Sequence, residues 1–337
     1  MLKPRIVLAL LTVCLGSVIL LGQNTPSTVL LVLSKGDRTV SIVDPATQKV
    51  LARMPSGPDP HEIIADSDGR LAYISNYGGP GGAYNTISVV DLVEQKALAP
   101  IDLGVLRGAH GLDFAGVKLW FTAETNKVIG SYDPATKRVD WVLGTGQNRT
   151  HMIVLSEDLK RIVTSNVSSA TMSIIDKITR QGPMGAQEDW DQTLVPVGRG
   201  AEGFDITPDG KQIWAANAQD GTISVVDAVE KKPIETLNAN VRSANRLKFT
   251  PDGSLAFVST LGGPELVILD VKTRREVKRV KIGRGAAGIQ MQPDGARVYV
   301  ACTPDNYVAV VDLKTLEVVS HIDAGKQPDG MAWVVRH

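Results

Sequence analysis

The chain has 337 residues, of which 36 are Lys or Arg and 36 are Asp or Glu. This balance argues against a protein that binds nucleic acid or anionic membranes over a broad surface. Hydrophobic residues make up 43% of the chain, enough for a substantial core. The 32 Gly and 18 Pro residues are scattered, which indicates many short elements separated by turns.

The first 28 residues differ from the rest. Two basic residues precede an apolar run from Ile6 to Leu21, whose 16 residues are fewer than the roughly 20 of a membrane span. A basic start, a short apolar run and a polar break are typical of a secretory signal peptide. The alternative is an uncleaved N-terminal anchor, which would be the one attachment to a membrane. Both interpretations place residues 29–337 in the periplasm or outside the cell.

An apolar segment that ends in aspartate recurs along the remaining chain. The segments read SIVD, SVVD, GSYD, SIID, SVVD, VILD and AVVD, and they end at Asp44, Asp91, Asp133, Asp176, Asp227, Asp270 and Asp312. Consecutive aspartates lie 42 to 51 residues apart, which is typical of β-propeller blades. Each aspartate is expected at a hairpin turn, where its carboxylate accepts backbone N–H bonds.

Each complete unit contains four predicted strands. In the sixth unit they are GIQMQPDG, ARVYVAC, YVAVVDL and EVVSHIDAG, with alternating apolar and β-branched residues. Two units carry extra residues, a Gly-rich stretch after Asn76 and an insertion around Gly182–Trp190.

The two ends of the repeat region are incomplete. Residues 29–57 supply three strands without a first one, and residues 330–335 supply a first strand without followers. Together they would complete one blade and remove a free sheet edge. The sequence therefore predicts an all-β, seven-bladed β-propeller over residues 29–337, with four strands per blade. Its closing blade is built from the N-terminal strands and the C-terminal strand.

The repeats resemble a known family. The segments YISN at 73–76, WAAN at 214–217 and YVAC at 299–302, with P-D-G turns and SVVD strands, are similar to the YVTN-type repeat of YncE-like exported bacterial propellers. The resemblance covers roughly residues 29–337 and implies the propeller fold. It implies no single activity, because that family includes binding and surface proteins, and other propellers are lactonases or lyases.

Histidines occupy the same place in three successive units. The first strand of a propeller blade lines the central channel, so residues at its start are neighbours at one end, called the top face here. These positions are His61, His110, His151, Glu202, Asn245, Ala287 and Asp329. The second strands end on the same face at Ser34, Asn76, Glu124, Asn166, Asn217, Thr260 and Cys302.

Imidazole and carboxylate groups at these positions suit Zn²⁺ or another first-row metal. The candidate metal ligands are His61, His110, His151, Glu202 and Glu124. The same histidines could act as general bases near neutral pH. They could also be polar channel residues that hydrogen-bond to one another and to trapped water.

A cationic ring is predicted outside the histidines. Its members lie two or three residues before a first-strand position: Arg107, Arg149, Arg199, Arg242, Arg284 and Lys326. Such a ring focuses potential on an anionic ligand, and Arg forms bidentate contacts with carboxylate or phosphate. The candidate ligand-binding set also includes Asn76, Asn166 and Asn217. The alternative is a set of solvated loop charges. Tyr77 and Tyr84, beside the Gly-rich stretch, could close over a ligand or pack the loop down.

Two functions remain open. The leading one is an exported, non-enzymatic binding propeller whose top face holds an anionic small molecule or a segment of a partner protein. The alternative is a metal-assisted lactonase or lyase that uses the channel histidines. A divalent metal is the one cofactor kept open. No C-x-x-C-H haem motif and no G-x-x-x-x-G-K-[ST] phosphate loop occurs in the sequence, so neither haem nor nucleotide is predicted.

The leader generates a prediction about export. We expect the exported chain to begin within Gly22–Thr28 and to carry one thiol, Cys302, because a signal peptidase removes the basic start and the apolar run. Amino-terminal sequencing of the exported protein is the measurement. A chain that still begins at Met1 and sediments with membranes would favour the anchor instead.

Overall fold

The repeat folds into seven sheets arranged around a channel. The computed structural model describes residues 26–183 and 185–336, and within them the secondary structure is strands and two short 3-10 turns. The turns are Glu124–Asn126 and Thr303–Asp305.

The chain begins in the closing blade with β1 (Thr28–Ser34), β2 (Thr39–Asp44) and β3 (Lys49–Pro55). Blade 1 contains β4 (Pro60–Ala65), β5 (Leu71–Asn76), β6 (Gly78–Gly79), β7 (Gly82–Ala83), β8 (Thr86–Asp91), β9 (Lys96–Ala97) and β10 (Ile101–Asp102). Blade 2 contains β11 (Ala109–Ala115), β12 (Lys118–Ala123), β13 (Val128–Asp133) and β14 (Arg138–Gly144). Blade 3 contains β15 (Thr150–Leu155), β16 (Arg161–Asn166), β17 (Thr171–Gly182) and β18 (Gly185–Pro196).

Blade 4 contains β19 (Ala201–Ile206), β20 (Gln212–Asn217), β21 (Thr222–Asp227) and β22 (Lys232–Leu237). Blade 5 contains β23 (Ala244–Phe249), β24 (Leu255–Thr260), β25 (Glu265–Asp270) and β26 (Arg275–Lys281). Blade 6 contains β27 (Ala286–Met291), β28 (Arg297–Cys302), β29 (Tyr307–Asp312) and β30 (Glu317–Ile322). The last strand, β31 (Pro328–Val335), returns to the closing blade. The predicted seven-bladed propeller is therefore confirmed.

The core lies between neighbouring blades. The second strand of each blade is almost wholly buried, whereas fourth strands such as β22 are mostly exposed. Alternate side chains of a strand point to opposite faces of its sheet, so each blade packs against both neighbours. One such contact joins Trp214 of blade 4 to Phe249 of blade 5, whose ring centroids are 5.5 Å apart.

The closing blade joins both ends of the chain, as predicted. Its strand order is β3-β2-β1-β31, with β31 innermost. The register pairs Leu31 with Ala332 and Val32 with Met331. The N–H of Arg336 also donates to the carbonyl of Ser27 at 2.7 Å. The β1 edge is therefore covered rather than exposed.

The recurring aspartates hold hairpin turns in six of the seven units. Asp312, for example, accepts the backbone N–H groups of Lys314 and Thr315, both at 2.9 Å. Asp176 is the exception, because the insertion extends its hairpin and moves the turn away. Its carboxylate instead contacts Arg161 Nε at 2.6 Å and Lys231 Nζ at 2.5 Å.

Both predicted insertions leave the repeat intact. The insertion around 182–190 lengthens β17 and β18 to 12 residues each. The Gly-rich stretch forms the small β6–β7 hairpin on the top face. Among the described residues, no helix is long and apolar enough to cross a membrane. The predicted signal peptide lies outside those residues, apart from positions 26–28.

The closing blade generates a stability prediction. Deleting residues 330–337 removes most of β31 and uncovers the β1 edge. We expect a loss of at least about 5 kcal/mol of unfolding free energy, or failure to fold, because several buried apolar side chains are lost. Thermal unfolding followed by circular dichroism is the measurement.

A matched control replaces the hairpin tip, residues 180–187, by Asn-Gly. This variant should melt close to the full chain, because residues 180–182 and 185–187 are exposed. Equal melting temperatures for the truncated and full chains would contradict the closure.

Candidate functional site

The top of the channel is built by one backbone irregularity that recurs in every blade. The first-strand positions predicted from the sequence are each the second residue of an inner strand, such as His61 in β4 and His110 in β11. In blades 1 to 6 a register shift follows directly, as between Ala109 and Leu112. A β-bulge of this kind redirects side chains, and here it turns the second residue toward the channel mouth.

Glycine after the bulge lets adjacent inner strands approach closely. A Cβ at Gly111 would lie 2.5 Å from the carbonyl oxygen of His151, and one at Gly330 would lie 2.2 Å from that of His61. These distances are too short for a side chain. Small residues at these points therefore bring the channel-mouth residues of neighbouring blades together.

The three histidines converge as predicted. The ring centroids of His110 and His151 are 3.7 Å apart, and those of His61 and His110 are 5.3 Å apart. Tyr77 packs edge-on against His61 and His110, at 4.9 and 5.0 Å. His110 and His151 are 3% and 2% exposed, so this packing covers them.

His151 lies between two carboxylates. Its Nδ1 contacts Glu124, and its Nε2 lies 2.9 Å from Glu202 Oε2. Burial opposes a charge on this ring, but the hydrogen bonds and charges of the two glutamates raise the pKa of His151 above its ordinary value. Burial likewise opposes the charge on Glu202, yet His151 and Arg149 lower its pKa to about 2. The contacts are therefore those of an imidazolium between two carboxylates.

Two further groups complete this cluster. Arg149 donates to Glu202 at 3.0 Å, and its Nε lies 3.7 Å from Glu124. The Tyr77 hydroxyl donates to Glu124 at 2.5 Å. Burial, together with this bond to Glu124, raises the pKa of Tyr77 to about 12, so it remains a donor.

His110 has the opposite electrostatic environment. Burial and the neighbouring His151 lower the pKa of His110 well below its ordinary value. Its buried Nδ1 has no hydrogen-bond partner within the described part of the chain. The two rings therefore have opposite tendencies, since burial favours a neutral His110 and the two glutamates favour a charged His151.

His61 belongs to a separate group at the seam between the closing blade and blade 1. Lys35 Nζ lies 2.8 Å from His61 Nε2 and 3.3 Å from Asp329 Oδ2. Asp59 lies 3.3 Å from His61 Nε2. Burial raises the pKa of Asp329, and the charges of Lys35 and His61 offset this only in part.

A buried ion pair crosses the channel beneath the histidines. Arg246 of blade 5 contacts Glu62 of blade 1, and both side chains are largely buried. Lys35, Asp59, Glu62 and Arg246 were not among the residues chosen from the sequence. The sequence does contain a signal for Glu62 and Arg246. Each is the third residue of an inner strand, a position at which blades 2, 4 and 6 have glycine.

The predicted cationic ring is only partly available to a ligand. Arg199 pairs with Asp220, and Arg284 pairs with Asp305 at 2.7 Å. Arg149 points into the histidine cluster. The remaining members form no ion pair within residues 26–183 and 185–336: Arg107, Arg242 and Lys326.

Contact of Asn76, Asn166 and Asn217 with a ligand stays a prediction, and their burial does not favour it. All three are at most 1% exposed. Each side chain hydrogen-bonds to hydroxyls of the neighbouring third strand; Asn76, for example, donates to Thr86 Oγ1 at 2.9 Å and to Ser88 Oγ at 3.0 Å. Buried polar groups need such partners, and these asparagines therefore tie the second strand of a blade to the third.

A cleft of about 500 Å³ opens beside the cluster. His61, Tyr77, Asp59 and Glu124 line it together with the β6–β7 hairpin. Arg107 reaches its wall, where Nη1 donates to the Ala83 carbonyl at 3.3 Å. Tyr84 packs on Gly79, where an added Cβ would lie 2.6 Å from its hydroxyl.

The histidine cluster is not arranged around a metal ion. Among the described residues, no group of three or more His, Cys, Asp or Glu side chains has a suitable arrangement. Both nitrogens of His151 already face carboxylates. Metal binding through His61, His110, His151, Glu202 and Glu124 would require these ion pairs to separate, and it stays a prediction.

Comparison with known proteins gives one partial family match. A model described as the cytochrome D1 heme domain matches residues 209–332. This is 124 of 337 residues, less than half of the chain. No curated protein sequence matches the chain.

Solved structures share the fold over nearly the whole chain. A functionally unknown protein from Desulfotomaculum acetoxidans has a TM-score of 0.73 at 14% identity and covers 92% of this chain and 99% of its own. A candidate 6-phosphogluconolactonase from Bacteroides uniformis has a TM-score of 0.72 at 14% identity, with 91% and 99% coverage. The dihydro-heme d1 dehydrogenase NirN in complex with DHE has a TM-score of 0.62 at 16% identity, with 90% and 74% coverage.

These identities show the propeller fold and no activity. The matched family model describes a heme domain, and the missing C-x-x-C-H motif bears only on covalently attached haem. The absence of haem stays a prediction. The matched segment 209–332 contains none of the three clustered histidines, so the match assigns none of them to a haem.

The stacked histidines generate a protonation prediction. We expect His151 to remain an imidazolium at pH values where His110 is neutral, because two carboxylates face His151 and no carboxylate of the described residues contacts His110. Imidazole ¹⁵N shifts measured across a pH titration report both rings. Glu202→Gln should lower the pKa of His151, since it removes one of the two charges that raise it. Titration of both rings over the same pH range would contradict this arrangement.

Proposed function

We propose that the chain is an exported binding propeller whose ligand, a small anionic molecule or an acidic segment of a partner protein, occupies the cleft beside Tyr77. One observation carries this proposal. The cleft opens onto the top face, and Arg107 at its wall forms no ion pair with any described residue.

The charges around the cleft support an anionic ligand. The carboxylates of Glu124 and Glu202 are matched by His151 and Arg149, and Asp59 is matched by Lys35 and by the N–H of Gly78 at 3.0 Å. Burial raises the pKa of Asp59, but His61 and Lys35 outweigh it and lower the pKa overall. The members of the cationic ring that form no ion pair therefore add positive potential to a channel mouth whose other charges nearly cancel.

Burial of the histidines favours binding over catalysis. A general base must come within hydrogen-bond reach of the proton that it removes. His110 and His151 lie under Tyr77 and are at most 3% exposed. A ligand in the cleft can contact His61 and Tyr77 but not the buried pair.

Citrate is a suitable probe, because it presents three carboxylates to the top face. We expect Arg107→Ala to weaken its binding about tenfold, the effect of one charge-assisted hydrogen bond. Arg284→Ala is the matched control and should have little effect, because Asp305 already neutralises that charge. Isothermal titration calorimetry is the measurement, and binding should weaken as salt rises.

Two results would reject the anionic site. One is citrate binding that is independent of both salt and Arg107. The other is equal weakening by Arg107→Ala and Arg284→Ala, which would indicate a diffuse surface effect.

The second candidate is a metal-assisted lactonase or lyase, and the convergence of three histidines favours it. Zn²⁺ added to the apoprotein should then shift the ¹⁵N signals of all three rings. Its affinity should fall sharply in His61→Ala, His110→Ala and His151→Ala but not in Arg284→Ala. Unchanged imidazole spectra would exclude this candidate for Zn²⁺.

A further inference from the structure

A second, larger cleft lies between blades 1 and 2. Its volume is about 850 Å³, within the range of small-molecule sites. It shares no lining residue with the top cleft. Any ligand of this cleft is therefore independent of the function proposed above.

An interrupted strand creates this cleft. The fourth strand of blade 1 is split into β9 and β10, which have two residues each. The N–H of Leu98 still donates to the Val89 carbonyl at 2.8 Å, and pairing resumes only where Ile101 meets Ile87. Pro100 lies in the gap and has no N–H to donate. The other blades have continuous fourth strands of six or more residues.

The walls of the cleft combine apolar side chains with two tyrosines. Leu71, Val89 and Val139 line it together with Tyr73 and Tyr132. Tyr73 is 2% exposed and stacks on Phe114 at 5.8 Å. No described residue hydrogen-bonds to either tyrosine hydroxyl. Neither hydroxyl is among the buried polar atoms that lack a partner, so both are accessible to solvent, and a ligand in the cleft would supply an acceptor in place of water.

The rim of the cleft is positively charged. Lys137 and Arg138 line it, and within the described ranges neither forms an ion pair. The one acidic lining residue, Asp102, already accepts hydrogen bonds from Asn85 Nδ2 at 2.9 Å and from the N–H of Gly104 at 2.8 Å. Asp66 and Asp133 act on Tyr73 and Tyr132 from outside the lining and accept backbone N–H bonds of their own. Among the lining residues, the charges without a partner are therefore those of Lys137 and Arg138.

Tyr132 and the two cations belong to one hairpin of blade 2, and Tyr73 faces the same cleft from β5 of blade 1. Tyr132 of β13 pairs with Val139 of β14, Lys137 ends the turn between these strands, and Arg138 is the first residue of β14. Burial raises the pKa of Tyr73 and of Tyr132, so both hydroxyls are available as donors. A bound carboxylate at the rim thus finds hydrogen-bond donors and positive charge together.

We infer that this cleft binds a small amphipathic carboxylate, whose apolar body contacts Leu71, Val89 and Val139 and whose carboxylate lies between Arg138 and the tyrosine hydroxyls. An apolar body suits the walls, because its burial there removes apolar surface from water on both sides. The carboxylate suits the rim, since charge-assisted hydrogen bonds are stronger than neutral ones.

Decanoate is the probe, and decanol is its uncharged counterpart. We expect decanoate to bind at one site per chain, as measured by isothermal titration calorimetry, and decanol to bind at least tenfold more weakly. Arg138→Ala and Tyr132→Phe should each raise the dissociation constant for decanoate about tenfold.

Arg275→Ala is the matched control, because Arg275 begins β26 as Arg138 begins β14. It should leave decanoate binding unchanged, and circular dichroism should show that all variants remain folded. Equal binding of decanoate and decanol would overturn the carboxylate site. Equal effects of Arg138→Ala and Arg275→Ala, or no binding of decanoate at millimolar concentration, would also overturn it. Citrate binding at the top face should be unaffected by Tyr132→Phe.

Discussion

The rest of this structure depends on how the bulged inner strands are held side by side. A bulge leaves a backbone N–H without a ladder partner, and hydroxyls of the second strand supply one. Thr122 accepts the N–H of Gly111 and donates to the His151 carbonyl, both at 2.9 Å. Ser165 and Ser259 make the corresponding bonds in blades 3 and 5. Each hydroxyl therefore fixes its own bulge and the next blade at once, and this narrows the mouth of the channel.

Crowding at the mouth decides its electrostatics. Two imidazolium rings whose centroids are 3.7 Å apart would repel each other. The carboxylates that flank His151 favour the charged form of that ring. His110 then remains neutral, and Arg246 is matched by Glu62 on the opposite side of the channel. Environments that separate the pKa values of neighbouring groups occur at functional sites. In this protein the same environment also supports packing of the mouth, since every charged member of the cluster has a partner.

Both proposed ligand sites lie where the repeat is broken. The Gly-rich hairpin adds a wall to the top face, and the interruption near Pro100 opens the seam between blades 1 and 2. A regular blade fills these spaces with its own strands. Departures from local regularity are therefore the places where this fold can accept a ligand without loss of its core.

The sequence by itself determined the number of blades, the joining of the two chain ends and the convergence of His61, His110 and His151, because each follows from position within a repeat. It did not determine that Asn76, Asn166 and Asn217 are buried or that Arg199 and Arg284 are paired. It also did not reveal that Arg246 meets Glu62, 184 positions away. Those contacts depend on the width of the closed channel and on the direction of each side chain. Both are set only when the seven blades close around the channel.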